Sequence, residues 1–247
     1  MAEAPPQVEV VKGDDLANAI DQSDSPLTAI PLVDLSWVDP KVVEILSNYK
    51  TEVVVIEFLA KHPVLKAGGH SHYFSVLSCE PTERVCLGRP GAGPPFFYMY
   101  TCLFSDLHVS LPFDEFTMGV LRALNVAPTQ IHLNTWASLQ AFRLLCDVMH
   151  LHPTPSSFLS YYAPHPAQKA SWHLLVGWSR SVLFDSFAVS YKRFKERFVR
   201  VIVQPKAKTL FFDEADRSRF PLYWTRKPCD FKVWSRPTEG VDELEVL

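Results

Sequence analysis

The sequence predicts an α+β fold: a helical core over about residues 112–163, followed by a small sheet-forming region with one basic amphipathic helix. Three observations predict it. Apolar residues from Phe113 to Leu124 recur at helical spacing. After Trp172 the pattern shortens to strand-like runs. Hydrophobic residues make up 47% of the 247, enough to bury a sizeable core. That composition excludes a wholly disordered or collagen-like chain.

Residues 1–33 are rich in Pro, Asp and Ser, lack periodicity and are expected to form a flexible lead. Asp39-Pro40 suits a helix start: Asp is a good N-cap and Pro fits the first turn. Val43, Ile45, Leu46 and Tyr49 would form that helix's apolar side. Val53 to Phe58 is compatible with a strand or a buried helix, and Tyr73 to Leu77 reads as a strand. Gly88 to Pro95 is a breaker and predicts a loop; it lacks the Lys and Ser/Thr of a phosphate cradle. Tyr98 to Leu107 fits either helix or strand.

Pro112 then precedes Phe113, Phe116, Val120, Leu121 and Leu124 on one helix face, with Asp114 and Glu115 in the first turn, where the helix dipole favours anions. Asn125 to Pro128 ends that helix. A second is expected from Asn134 as N-cap, burying Trp136, Leu139, Phe142, Leu145, Cys146 and Met149 and stopping before His152-Pro153. Thr154-Pro155 opens a third, short helix with Phe158, Leu159 and Tyr162. Trp172 to Trp178 and Val182 to Phe187 read as paired strands. Ser190 would cap a helix with Tyr191, Phe194 and Phe198 on one side and Lys192, Arg193, Lys195 and Arg197 around the rest. Val199 to Val203 reads as a strand. Trp136, Phe142, Phe116, Leu121 and Trp178 are expected in the core.

The net charge of −3 conceals an asymmetry: residues 1–60 carry −8, residues 188–238 carry +8, and residues 239–247 carry −4. Such a layout suits either a surface facing a polyanion or pairing between the two halves. The opening Met1-Ala-Glu-Ala-Pro-Pro has no basic n-region and no apolar h-region, and no apolar run is long enough to span a bilayer. Five cysteines, an odd and scattered set, suit reduced thiols. An intracellular location, nuclear or cytoplasmic, is therefore expected, without membrane association.

No complete catalytic constellation emerges, and neither catalytic residues nor cofactors are assigned. Asp213-Glu-Ala-Asp216 matches the metal-holding tetrapeptide of ATP-dependent RNA helicases, but that chemistry also needs a Gly-Lys-Ser/Thr loop, which the chain lacks. An acidic turn is expected instead. His70, His72, Cys79 and Cys86 have zinc-binding chemistry without the spacing of a common finger. The segment from Tyr191 to Arg200 interleaves aromatic and basic residues, so Lys192, Arg193, Lys195, Arg197 and Arg200 are candidate nucleic-acid contacts.

Four passages are shared with a known family: Tyr100 to Phe113 (YTCLFSDLHVSLPF); Leu124 to Trp136 (LNVAPTQIHLNTW), continuing to Ala141-Phe142 and Leu145-Cys146; Ser190 to Val201 (SYKRFKERFVRV); and Phe220 to Thr225 (FPLYWT). Through them the chain resembles the gypsy-type transposon domain of plants, found in proteins of gypsy-type LTR retrotransposons. The resemblance is strongest over 95–228 and extends over 34–236, leaving 237–247 as an acidic tail. It implies a transposable-element origin and a gag-like, non-enzymatic interaction or assembly role, with self-association as the expected partnership. It supplies no catalytic residues. The alternatives are a nucleic-acid-binding module using the basic 191–200 helix, with RNA or DNA as partner, and, more remotely, a Cys/His or zinc-dependent enzyme.

Overall fold

The computed structural model describes residues 34–66, 73–88, 93–164, 171–177, 184 and 194–229. In chain order the elements are α1 (Pro40–Val43), α2 (Glu52–Lys61), β1 (Phe74–Leu77), β2 (Phe96–Tyr100), α3 (Thr101–Ser105), α4 (Glu115–Leu124), α5 (Leu133–Val148), α6 (Pro155–Leu159), β3 (Tyr162–Pro164), β4 (Leu175–Gly177), β5 (Phe198–Val203) and α7 (Lys208–Phe211). Short 3-10 turns occupy Pro128–Gln130 and Pro205–Ala207. The fold is α+β.

The sheet is laid out differently from the expectation. Its strands do not all follow the helical core. β1 and β2 precede it, and β5 returns from beyond it to lie between them, antiparallel to both. Strand alternation then sorts β5 into two sets. Val199, Val201 and Val203 share a face with Phe97, Met99, Phe74 and Val76. Phe198, Arg200 and Ile202 share the other with Phe96, Tyr98 and Tyr100. On the first face Phe97 meets Phe211 and Phe220 at ring separations of 5.7 and 5.8 Å, and Phe113 links this cluster to Trp136 at 5.7 Å. All of these side chains are buried.

The helices follow their local chemistry. Asp39 caps α1 through Lys41 N–H, with Pro40 in the first turn as expected, but the helix ends at Val43. The ambiguous run from Val53 is helical: α2 buries Val55 and Phe58. The run from Tyr98 to Leu107 is both things in turn, strand to Tyr100 and helix from Thr101. Asp114 is the N-cap of α4, its Oδ1 accepting from Thr117 N–H at 2.8 Å, while Oδ2 accepts from Arg143 of α5 at 3.0 Å. Asn125, at φ 50°, ends α4 in the left-handed conformation that Asn tolerates. Phe116, Phe142 and Phe158 join α4, α5 and α6 at ring separations of 5.4–5.9 Å.

Several expectations are corrected. The cap of α5 is His132, not Asn134: the His132 Nδ1 accepts from the Asn134 N–H. Leu145 and Met149 are exposed rather than buried, because the last turns of α5 run past the core. β4 pairs with β3, so Tyr162 belongs to a strand and not to the third helix. Lys195 and Glu196 form a turn and Phe198 opens β5, so the second half of the predicted basic helix is turn and strand. The fully extended backbone suits the β-branched run from Val199, which outweighs the helical spacing of Phe194 and Phe198. Ser190 to Arg193, Trp178 and the 182–187 strand, apart from Phe184, lie outside the described residues, as do 1–33 and 230–247. Trp136, Phe142, Phe116 and Leu121 are buried as expected.

Gly119 marks the closest approach of α4 and α6. A Cβ there would lie 2.5 Å from the Pro155 ring. Gly119→Ala gains about 1 kcal/mol of helix propensity but forces the two helices apart. A net loss of about 1–2 kcal/mol in urea unfolding is expected, and a variant as stable as the parent would show that the contact yields freely.

Candidate functional site

The four passages that carry the resemblance meet in space. The fully buried Gln130 amide binds Thr225 in both directions: Nε2 donates to the Thr225 carbonyl and Oε1 accepts from the Thr225 N–H, each at 2.9 Å. Trp224 Nε1 donates to Thr129 Oγ1 at 3.1 Å. Tyr100 OH donates to the Thr129 carbonyl at 3.2 Å, and Trp172 Nε1 donates to Tyr100 OH at 2.8 Å. Phe194 lies edge-on to Tyr100 at 5.1 Å, and Thr101 N–H donates to the Arg197 carbonyl at 2.8 Å. Asn-Val-Ala-Pro-Thr-Gln and Pro-Leu-Tyr-Trp-Thr are thus two halves of one hydrogen-bonded junction.

Of the five basic candidates, three are among the described residues, and they have different surroundings. Lys192 and Arg193 lie outside the described residues. Lys195 stands with its Nζ 3.6 Å over the Trp172 ring, and burial lowers its pKa, with Asp39 opposing and nearby Lys41 adding to the shift. Arg197 is half-buried, with no ion pair among the described residues. Arg200 turns the other way. Its Nε donates to the Ser78 carbonyl at 3.0 Å, and it faces Glu83 at 3.6 Å and Glu80 at 3.8 Å. Further along the basic segment, Lys208, Arg217, Arg219 and Arg226 are paired with Asp216, Asp213, Glu115 and Asp34. Only Asp34 comes from the acidic first sixty residues.

Glu83 anchors the densest cluster of titratable groups, and sequence reasoning missed it. Its side chain is buried, accepting from Tyr98 OH and from Glu80 N–H at 2.8 Å. Desolvation, then the Glu83 charge, raises the pKa of Tyr98 and keeps the phenol protonated. The signal available in the sequence was Arg200, a lone charge within an apolar strand. Nearby Cys79 has its Sγ 3.6 Å from the Phe198 carbonyl, and burial pushes the thiol up to about 12, with Glu83 adding to the shift. Burial pushes Cys86 up to about 11 and Cys102 up to about 12. A thiol is nucleophilic as thiolate, and burial keeps these three in the thiol form at neutral pH. His70 and His72 lie outside the described residues, and no group of three or more His, Cys, Asp and Glu gathers among the described ones. Asp213 to Asp216 form the expected turn: Asp213 Oδ1 accepts from the N–H groups of Ala215 and Arg217, and this bonding with Arg217 lowers the Asp213 pKa.

What the surface does present is apolar. At the end of α5, Leu144, Leu145, Val148, Met149 and the following Leu151 are 36–67% exposed. They flank Phe142 and Cys146, which face the core, so these last turns are apolar on both sides. Val53, Val54 and Ile56 form a smaller exposed set on α2. Shallow clefts of about 400 Å³, lined by Phe212, Asp216, Ser218 and Tyr223, and about 320 Å³, lined by Leu35, Val38 and Val43, also open on the surface. Among the described residues no helix is long and apolar enough to cross a membrane.

No protein-family model, curated protein or solved structure matches the chain. The gypsy-type reading rests on the four sequence passages.

Arg200 therefore works as a tie between β5 and the loop at 78–83. Arg200→Gln removes the cationic partner of a buried carboxylate and is expected to cost about 2 kcal/mol in chemical denaturation. Unchanged stability would return Arg200 to the surface as a candidate phosphate contact.

Proposed function

We propose that the chain is a non-enzymatic interaction domain of gypsy-type retrotransposon origin, gag-like in role, and that two copies associate through the outer face of α5. One observation carries the reading: the last turns of α5 are apolar toward both the core and the solvent. Outside the polar flank of Arg143 and Asp147, these turns present apolar residues where a surface helix ordinarily presents polar ones. Asp147 flanks the stripe without interrupting it, so two such helices can approach at the usual 8–10 Å. The interlocking of the four passages supports reading them as one structural unit.

The second reading, phosphate contact, is favoured by Lys195 and Arg197, which stand outside the ion pairs, with Lys41 close to Lys195. It expects binding to single-stranded RNA or duplex DNA that falls steeply with salt. Fluorescence anisotropy with Lys195→Gln/Arg197→Gln checks it. The reading expects at least a tenfold loss of affinity, and salt-independent binding, or none at low salt, defeats it.

The self-association reading is tested by sedimentation velocity over a wide concentration range. The parent is expected to show a concentration-dependent dimer. Leu144→Glu/Val148→Glu is expected to be monomeric, at least tenfold weaker in association, with circular dichroism and melting midpoint unchanged. A parent that stays monomeric throughout, or a variant that associates as well, overturns it; a parent that binds only a different protein through this face does so as well.

A further inference from the structure

A helix cap made by histidine is conditional in a way that Ser, Thr or Asn caps are not. An N-cap side chain must accept a hydrogen bond, and imidazole accepts only through an unprotonated nitrogen. His132 fills this position for α5, its Nδ1 accepting from Asn134 N–H at 3.2 Å. The ring must therefore be neutral, with its proton on Nε2.

The surroundings reinforce that state. The His132 ring stands edge-on to Phe194 at 5.4 Å, and the ammonium of Lys195 follows in the next position, held over Trp172. His132 N–H donates to the His173 carbonyl at 3.0 Å, and His173 N–H to the Gln130 carbonyl at 2.6 Å. The charged and titratable groups facing His132 are thus Lys195, from the turn before β5, and His173, from the strand leading to β4. Behind Lys195 lie Asp39 and Lys41 of α1, acting in opposite directions. Desolvation first, and Lys195 second, holds the His132 pKa below the ordinary imidazole value.

We infer that His132 is a pH-responsive latch: neutral, it caps α5 and accepts the Lys195 turn against it; protonated, it loses the cap and repels that turn. The same residue joins three things at once, namely the first turn of α5, the strand leading to β4 and the turn that feeds β5. Protonation loosens their junction, and Trp136, whose N–H donates to the His132 carbonyl at 3.2 Å, is the link from there to Phe113.

The sign follows from linkage. Because the fold favours neutral His132, the folded chain binds fewer protons than the unfolded one once pH drops below about 6.5. The latch contributes fully above that value. Its contribution is lost as pH falls below it and through the lower value held in the fold.

The full chain is melted at pH 7.5 and pH 5.5, beside His132→Asn, which supplies a cap acceptor at every pH, and His132→Ala, which supplies none. The parent is expected to lose roughly 2–4 °C more than His132→Asn between the two pH values. His132→Ala is expected to melt lower at pH 7.5 and to lack the extra pH slope. Imidazole ¹H–¹⁵N spectra of the parent are expected to show His132 as the Nε2–H tautomer, titrating below an ordinary histidine. Equal pH slopes for the parent and His132→Asn, a Nδ1–H tautomer, or an ordinary titration each overturn the inference.

Discussion

The register of β5 is the constraint on which the rest of the fold depends. β5 has partners on both edges and different layers on its two faces. A slip of one residue exchanges Val199, Val201 and Val203 for Phe198, Arg200 and Ile202. It would drive the Arg200 guanidinium into the cluster of Phe97, Phe211 and Phe220 and leave Glu83 with no cation. Only one register places the single charge of the strand opposite the buried carboxylate. The sheet is therefore specified by an electrostatic match on one face and by aromatic packing on the other. The helices inherit that choice, because Phe113 ties the aromatic face to Trp136 of α5.

The same match commits Arg200 inside the basic segment. Charge counted along the chain suggests a continuous field over 188–238, and the described cations of that segment are divided among different partners. Arg200 is turned inward, Lys195 lies over an indole, and four further cations have carboxylate partners. Exposed pairs of this kind contribute little stability. Their effect is to shorten the reach of the local field, since each cation's potential is offset within a few ångströms. Arg217 with Asp213 and Lys208 with Asp216 close a turn, Arg219 reaches back to Glu115, and among the described residues Arg226 with Asp34 reaches the acidic first sixty residues.

The legibility of the sequence tracks how local each determinant is. Asp39-Pro40, Pro112-Phe113-Asp114, Asn125 and Thr154-Pro155 carry capping and turn chemistry within a few residues, and the helix ends lie close to where those signals place them. The apolar spacing of α4 is equally plain, although Thr117, Met118 and Gly119 are buried as well and the helix is enclosed on more than that one face. Failures occur where a distant partner decides. Phe194 and Phe198 have helical spacing, yet β1 and β2 wait on either side of the 198–203 run and draw it into a strand. Asn134 is the better cap by residue type, but His132 reaches the vacant N–H because Phe194 and the His173 carbonyl hold it there. Glu83 carries no signal of its own, since its role exists only once Arg200 is opposite. The exposed face of α5 was legible in part: Leu144, Leu145, Val148 and Met149 crowd one stretch of helix more densely than a single buried stripe needs.

That crowding is what the fold by itself leaves unexplained. The first turns of α5 do structural work on every side: Trp136 and Leu139 are buried, and Gln140 donates to the Leu107 carbonyl at 3.0 Å. Arg143 closes the polar flank against Asp114. Beyond it the core is still served by Phe142 and Cys146, and nothing in their packing requires leucine at 144 or valine at 148. Polar residues there would keep the helix, satisfy the core and improve solubility. An apolar solvent face is a cost that packing among the described residues does not offset, which is what the proposed association would relieve. The buried ionisable groups point the same way. Burial holds Tyr98, Cys79 and Cys102 protonated, and Glu83 is enclosed by Tyr98, Arg200 and a backbone N–H, so these groups are committed to the fold's own contacts. The α5 face, with the smaller set of Val53, Val54 and Ile56 on α2, is a part of the described surface whose composition the fold does not account for.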